Sequence, residues 1–260
     1  MKPKKSLGQN FLKDRNTILK IVKCGELTNN DIVLEIGPGT GILTEEILKK
    51  KPSHLIVVEK DKDLSALLKK KFGNKIEIIN KDILRCYNDF IFDKPIKVFG
   101  NLPYNISTKI LISFIKVKNL KDKFNKFIFI FQKEVADRIL ADENSSNYGR
   151  ISIMSAWKTR VIKIIDISPN YFFPKPKVRS TLLVVNPKNS YENIRNSKNL
   201  EHITNIFFNQ RRKMIKKPMK QIFKNYELIA NELKLDLKLR PQKLSVLQYI
   251  EICKTYEKLI

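Results

Sequence analysis

Cysteine and histidine are scarce in this chain, and the shortage removes whole classes of chemistry. Three cysteines (Cys24, Cys86, Cys253) and two histidines (His54, His202) are scattered over 260 residues. They form no Cys-x-x-Cys pair and no cluster with ligand spacing, so neither a metal site nor a disulfide framework is expected. A reducing, cytoplasmic setting is the natural expectation. No run of about 18 apolar residues exists, the length a spanning helix needs, so no membrane span is expected. Residues 1–11 are basic and polar with no apolar stretch behind them, unlike a secretory signal. Acidic residues are also few: 26 Asp and Glu stand against 51 Lys and Arg, a formal net charge of +25. Such an excess suits a polyanionic partner, either nucleic acid or an anionic membrane surface. Heavy use of Lys, Ile and Asn inflates the figure throughout, yet local clusters exceed that background. With 42% hydrophobic and 30% charged residues, the chain has the composition of a folded protein with room for one large domain and a small one.

Apolar runs and amphipathic stretches alternate along the first two-thirds of the chain. Asp14 can cap a first helix that Gly25 closes. Strands are predicted at 32–36, 55–59, 75–79, 96–100 and 126–131, with helices after the first two and at 106–117 and 133–140. That alternation implies an α/β fold with a doubly wound, mainly parallel sheet. Two β-branched runs, 159–167 and 178–185, flank a Pro-rich loop and read as an antiparallel edge hairpin. Residues 187–197 read as a linker, and from Leu200 onward only helical patterns remain. The predicted domains are 1–187, including a basic arm at 1–13, and a small all-helical domain at 188–260.

Glu35-Ile36-Gly37-Pro38-Gly39-Thr40-Gly41 sits where the first predicted strand of the sheet turns into a helix. Glycines there let the backbone approach a ligand closely. A dinucleotide fingerprint needs Gly-x-Gly-x-x-Gly, and the spacing here is Gly-x-Gly-x-Gly. Gly37 and Gly39 therefore fit a loop holding an adenosine that carries an amino-acid chain. Glu59 ends the next strand, where a carboxylate can accept both ribose hydroxyls. Asp82 follows the third strand and can accept from an adenine amino group, with Ile83 packing on the ring. Alone, either acid reads as a solvated charge at a strand end. Together with Asn101 they lie at the carboxyl ends of successive predicted strands, the edge along which open α/β sheets bind ligands.

Asn101-Leu102-Pro103-Tyr104 follows the apolar run 96–100. The Asn101 amide oxygen can accept one N–H of an exocyclic base amine. Pro103 restricts Leu102 to extended backbone, which can aim the Leu102 carbonyl at the second. Tyr104 offers a face for the base to stack on. Asn-Leu-Pro is also an ordinary exit from strand to turn. Farther on, Arg211, Arg212, Lys213, Lys216, Lys217 and Lys220 form the densest basic cluster. Helical spacing puts Lys213, Lys216 or Lys217, and Lys220 on one face. A solvated lysine face is the common alternative, but two arginines beside Asn209-Gln210 favour phosphate contact. Lys2, Lys4 and Lys5 add a basic arm.

Jointly, Ser6-Leu7-Gly8-Gln9-Asn10-Phe11-Leu12, the glycine loop, 101–107 and Phe172-Phe173-Pro174-Lys175-Pro176-Lys177-Val178 resemble the ribosomal RNA adenine N6-methyltransferases. The runs 208–213 and 240–245 are similar to the small-subunit branch, which dimethylates two adjacent adenines in a hairpin near the 3′ end of that RNA. The resemblance implies a seven-stranded methyltransferase sheet, S-adenosyl-L-methionine as donor, and small-subunit ribosomal RNA in the immature subunit as partner. By matching positions it implies that Asn10, Leu12, Gly37, Glu59, Asp82 and Asn101 line the cofactor pocket. It also implies that Phe173, directly before Pro174, stacks on the target base. A monomer is expected. Three alternatives remain open from sequence: the macrolide-resistance branch acting on large-subunit RNA, a non-catalytic assembly or transcription factor on the same fold, and a DNA adenine methyltransferase.

Overall fold

Strand-forming runs become β1 (Phe11–Leu12), β2 (Ile32–Ile36), β3 (His54–Val58), β4 (Glu77–Ile79), β5 (Ile96–Asn101), β6 (Phe124–Gln132), β7 (Thr159–Ile167), β8 (Phe172–Phe173) and β9 (Ser180–Pro187) in a computed structural model. It describes residues 3–4 and 8–260. Lys2, Lys5, Ser6 and Leu7, named above, lie outside the described residues. Seven strands form one sheet in the order β4-β3-β2-β5-β6-β9-β7, and β1 pairs with β8 in a separate two-stranded ribbon. From β4 to β6 all pairings are parallel, while β9 runs antiparallel to β6 and β7 forms the edge beyond it.

The central strands read as near-continuous apolar runs because helices cover both faces of a parallel sheet. Val33, Leu34, Val57, Val98 and Phe99 are all buried. Phe114 packs edge-on against Phe124 with ring centroids 5.0 Å apart, and Phe127 and Phe129 continue the aromatic layer. Lys97 is the exception on β5. Its ammonium reaches Asp31 at 3.0 Å and the Glu26 carbonyl at 2.9 Å, so the buried cation is paired. The first helix, Arg15–Cys24, begins at Asp14, whose carboxylate accepts from the Thr17 N–H at 2.7 Å.

The chain divides into two units, Met1–Ala136 with Arg160–Pro187, and Asp137–Thr159 with Lys188–Ile260. The second contains the helices Arg150–Lys158, Ser197–Asn209, Lys216–Ile222, Tyr226–Glu232 and Val246–Leu259. Residues 137–159, which sequence patterning leaves with the large domain, thus belong with the helical unit. Trp157 Nε1 donates to the Glu192 carbonyl at 2.8 Å and the Lys188 N–H to the Lys158 carbonyl at 2.9 Å. Tyr148, Phe208 and Tyr249 join their rings in series, at 6.2 and 5.9 Å. Local periodicity cannot register a chain that leaves a unit and later returns to it.

Candidate active site

Sheet register aligns the candidate residues. Ile36 pairs with Val58 and with Gly100, and Val58 pairs with Ile79. Gly37, Glu59, Asn80 and Asn101 therefore each stand one residue beyond a common row. Strand order also reverses here, since β2 is followed by β3 on one side and lies beside β5 on the other. Such a switch point opens a crevice at the carboxyl edge of the sheet. A cavity in that crevice is lined by Asn10, Gly37, Gly39, Glu59, Asp82, Ile83, Asn101, Leu102 and Pro103. Leu12 is not among its lining residues; it is buried in the core. Tyr104 and Phe173 also stand outside the cavity wall.

Several wall residues carried no assigned role in the sequence: Gln9, Phe11, Lys60, Lys81, Asn105 and Ile106. Phe11 comes from the arm, and its ring lies against the glycine loop. A Cβ on Gly39 would approach that ring to 2.8 Å, at a φ of +57° that L side chains avoid. The arm is tied down by charge. Lys4 reaches Asp61 at 2.9 Å and Asp63 at 2.7 Å, and Gln9 reaches Asp61 at 3.0 Å. Lys4 is thus engaged within the protein rather than free for RNA. Membership of the motif runs quoted above marked Gln9, Phe11, Asn105 and Ile106 in the sequence; that they line one cavity is decided by tertiary structure.

The acids differ in environment. Burial raises the Glu59 carboxyl above the usual range, offset in part by N–H donors from Asp61 at 2.9 Å and Gly39 at 3.3 Å. At Asp82 burial acts in the same direction but is outweighed. One oxygen accepts from the Leu84 N–H at 3.0 Å, the other from the Lys60 ammonium at 3.0 Å, and the carboxyl is held low. Glu35, opening the glycine motif, is buried, and among the described residues its Oε2 has no hydrogen-bond partner. Burial pushes it up to about 8, with Thr44 and Glu59 as polar neighbours.

Glu35 has a consequence for stability. Below pH 4.5 folded and unfolded chains both carry the proton; between pH 4.5 and about 8 the unfolded chain releases it while the folded one keeps it. Stability is therefore expected to fall with rising pH across that window, by up to about 1.4 kcal/mol per unit. Glu35→Gln should reduce the slope, as read from urea unfolding at a series of pH values. An unchanged slope would assign the pH dependence to other groups.

Around Asn101 the hydrogen bonding is directional. Its Nδ2 donates to the Asn10 carbonyl at 2.6 Å. A carbonyl can only accept, so the amide orientation is set, and among the described residues no donor reaches Oδ1. Among the described residues no donor reaches the Leu102 carbonyl either. A Cβ on Gly100 would meet Leu102 Cδ2 at 2.6 Å, so the glycine leaves room for that side chain. Tyr104 is half-buried, its hydroxyl 2.5 Å from Ser180 Oγ. Of the two phenylalanines in the loop, Phe172 is buried at 3% exposure and Phe173 is 48% exposed. They form β8, paired to β1 in the register Phe11–Phe173 and Leu12–Phe172.

The basic cluster lies in the helical unit and differs from the spacing expected for one helix. Its helix begins only at Lys216, so Lys213 stands in the preceding loop. Pro218 explains the start: a proline ring clashes with the carbonyl four residues earlier, here Met214, and is tolerated in a first turn where N–H groups have no intrahelical acceptor. Arg212, Lys213, Lys216, Lys217 and Lys220 share a concave surface with Lys238 and Arg240. Main-chain bonds join its sides, from Ile215 N–H to Leu239 at 2.7 Å and Lys216 N–H to Leu237 at 3.1 Å. Arg211 is not part of it; its guanidinium donates to the Ser146 carbonyl.

Residues 1–258 match the ribosomal RNA adenine dimethylase family. The chain is 53% identical over 259 residues to the ribosomal RNA small subunit methyltransferase A of Pelagibacter ubique (strain HTCC1062), covering 100% of this chain and 98% of that protein. Its identity to the protein of the same name from Ehrlichia ruminantium (strain Gardel) is 42% over 255 residues, covering 96% and 95%. A dimethyladenosine transferase from Plasmodium falciparum shares the fold with a TM-score of 0.78 at 24% identity, over 95% of this chain and 98% of that one. The 23S rRNA methyltransferase ErmE does so with a TM-score of 0.68 at 21% identity, over 95% and 99%. With its full length matched and its strand tips carrying the family's motifs, the chain belongs to the ribosomal RNA adenine dimethylases.

Proposed function

We propose that this protein transfers methyl groups from S-adenosyl-L-methionine to the N6 amines of two adjacent adenines in the 3′-terminal hairpin of small-subunit ribosomal RNA, giving dimethyladenosines during subunit biogenesis. The observation that carries the reading is the Asn101 amide, whose Nδ2 is occupied by the Asn10 carbonyl at 2.6 Å. Asn101 Oδ1 and the Leu102 carbonyl remain as two acceptors beside one cavity, a match for the two N–H groups of an exocyclic amine.

The cavity residues fit the donor. Glu59 keeps lone pairs beyond its two backbone bonds for ribose hydroxyls, and Ile83 offers an apolar face for adenine. A glycine loop that turns at positive φ at Gly37 and Gly39, both in the cavity wall, suits a group held close to backbone. S-adenosyl-L-methionine supplies a methyl on a sulfonium, which is already electrophilic.

Adenine's amine is a poor nucleophile because the ring shares its lone pair, and positive charge grows on it as it attacks. Asn101 Oδ1 and the Leu102 carbonyl are preorganised acceptors for that charge, commonly the largest catalytic effect. Tyr104, fixed by Ser180, and the exposed Phe173 ring hold the base and favour its cationic character. Alignment of amine and methyl supplies much of the remainder. The released proton can pass to water. On this reading the enzyme works in the cytoplasm as a monomer, on the immature small subunit.

Identity of 53% to a protein named for the small subunit, against 21% to the 23S enzyme, favours small-subunit RNA as substrate. Mass spectrometry of ribosomal RNA from cells with and without this protein tests it: dimethyladenosine should vanish from the small-subunit 3′ hairpin. Loss of the mark from large-subunit RNA instead would reassign the substrate. The concave basic surface of the helical unit is read as a phosphate-binding groove. Replacing Arg212, Lys213 and Lys217 together by Ala should weaken RNA binding and flatten its salt dependence, by about 0.7–0.9 in slope for each phosphate no longer neutralised. Cofactor affinity should hold. Unchanged affinity and slope would make the cluster a solvated face.

A further inference from the structure

The β1–β8 ribbon carries a cation used by neither the cofactor pocket nor the basic groove. Lys13 directly follows β1, and its N–H donates to the Tyr171 carbonyl at 2.8 Å, prolonging the ribbon by one bond. Side chains alternate along an extended strand, so Phe11 and Lys13 share one side of β1 and Leu12 takes the other. On the facing strand Tyr171 and Phe173 share a side opposite Phe172. Burial follows this alternation: Leu12 and Phe172 are buried, whereas Lys13, Tyr171 and Phe173 are exposed. The Lys13 ammonium stands 4.2 Å from the centroid of the Phe173 ring. Among the described residues no carboxylate pairs with it.

We infer that Lys13 is a positioning residue that holds a backbone phosphate of the target nucleotide while the base stacks at Phe173. The inference rests on the proposed role of Phe173. An exposed ammonium on an exposed ring is weakly held, leaving it available to an anion. A nucleotide whose base reaches that ring brings its phosphodiester to the same rim. Charge supplies the reason for the contact. Methylation makes the base cationic, and an uncompensated ammonium on the adjoining ring would oppose that charge. A phosphate accepting from Lys13 cancels the opposition. The contact also favours a nucleotide within a strand over free adenosine, which has no phosphate to offer. Because the same arm segment also places Phe11 and Asn10 in the cofactor cavity wall, one short segment would set both substrates against each other.

Lys13→Met keeps most of the stem and removes the charge; Lys13→Arg keeps the charge. Initial rates of methyl transfer to immature small subunits, measured over a salt series, separate the cases. For Lys13→Met the KM for RNA should rise about fivefold to tenfold, the effect of one charge-assisted bond at an exposed rim. The change should fall on KM more than on kcat. The slope of log KM against log salt should drop by about 0.7, and Lys13→Arg should restore it. Calorimetric cofactor affinity serves as the check on folding. A Lys13→Met enzyme with wild-type KM and salt slope, or an arginine variant that fails to restore the slope, overturns the inference. Phe173→Leu with unchanged kcat would instead remove the stacking role of Phe173, while the salt slope of Lys13→Met would still report whether Lys13 meets a phosphate.

Discussion

Asn101→Ala is expected to lower methyl transfer about 100- to 1000-fold, the usual effect of removing one preorganised electrostatic partner from a reacting centre. The substitution deletes the amide oxygen aimed at the amine and leaves the basic groove intact, so subunits should still bind. It also frees the Asn10 carbonyl, which accepts from Asn101 Nδ2 at 2.6 Å. Loosening of the arm could then weaken cofactor binding, so affinity must be measured alongside rate. The assay is radiolabelled transfer at saturating cofactor, with product nucleosides resolved by chromatography. A variant that methylates at the wild-type rate would remove Asn101 from the chemistry. Wild-type protein that binds subunits but transfers nothing would favour the assembly-factor alternative.

Cofactor affinity should fall by about 1.5–3 kcal/mol in Glu59→Ala, or roughly 10- to 150-fold, if the carboxylate accepts from ribose hydroxyls through charge-assisted bonds. The same carboxylate accepts from the N–H groups of Gly39 and Asp61. Part of the loss would therefore come from loosening the glycine loop. Glu59→Gln is the milder change: it keeps one acceptor, but because Oε1 and Oε2 each accept from one loop N–H, its NH₂ replaces an acceptor shared by the loop and a ribose hydroxyl. Calorimetry with S-adenosyl-L-methionine should rank the affinities wild type, Gln, Ala. Equal affinities in folded variants would exclude the ribose role.

Much of this site was legible before any fold was known. The strand runs, the glycine spacing and an acid or amide at each strand tip are local signals. A parallel sheet converts them into one place, because its register puts the residues after Ile36, Val58 and Gly100 at a common edge. The choice of Phe173 over Phe172 followed the resemblance, and the structure buries the one and exposes the other. The contacts that escaped notice are those whose partners are remote. Lys4 meets Asp61 57 positions away, and the Asn10 carbonyl meets Asn101 across 91. Arg211 looked like one more member of a basic run until its guanidinium was found on the Ser146 carbonyl, 65 positions earlier.

Sequence alone determined the alternation of strand and helix, the cap at Asp14, the turn after Gly100 and the chemistry available at each tip. Backbone preference and side-chain periodicity act over a few residues and need no distant partner. Tertiary structure decided the pairing of β1 with β8, the return of residues 137–159 to the helical unit, and the joining of Lys238 and Arg240 to a groove begun at Arg212. Each of these requires closing a long stretch of chain, whose entropic cost is met by contacts made only in the folded state. The ribbon shows this best. Two residues from the arm and two from a Pro-rich loop carry almost no strand signal alone, and they become strands because each supplies the other's hydrogen bonds.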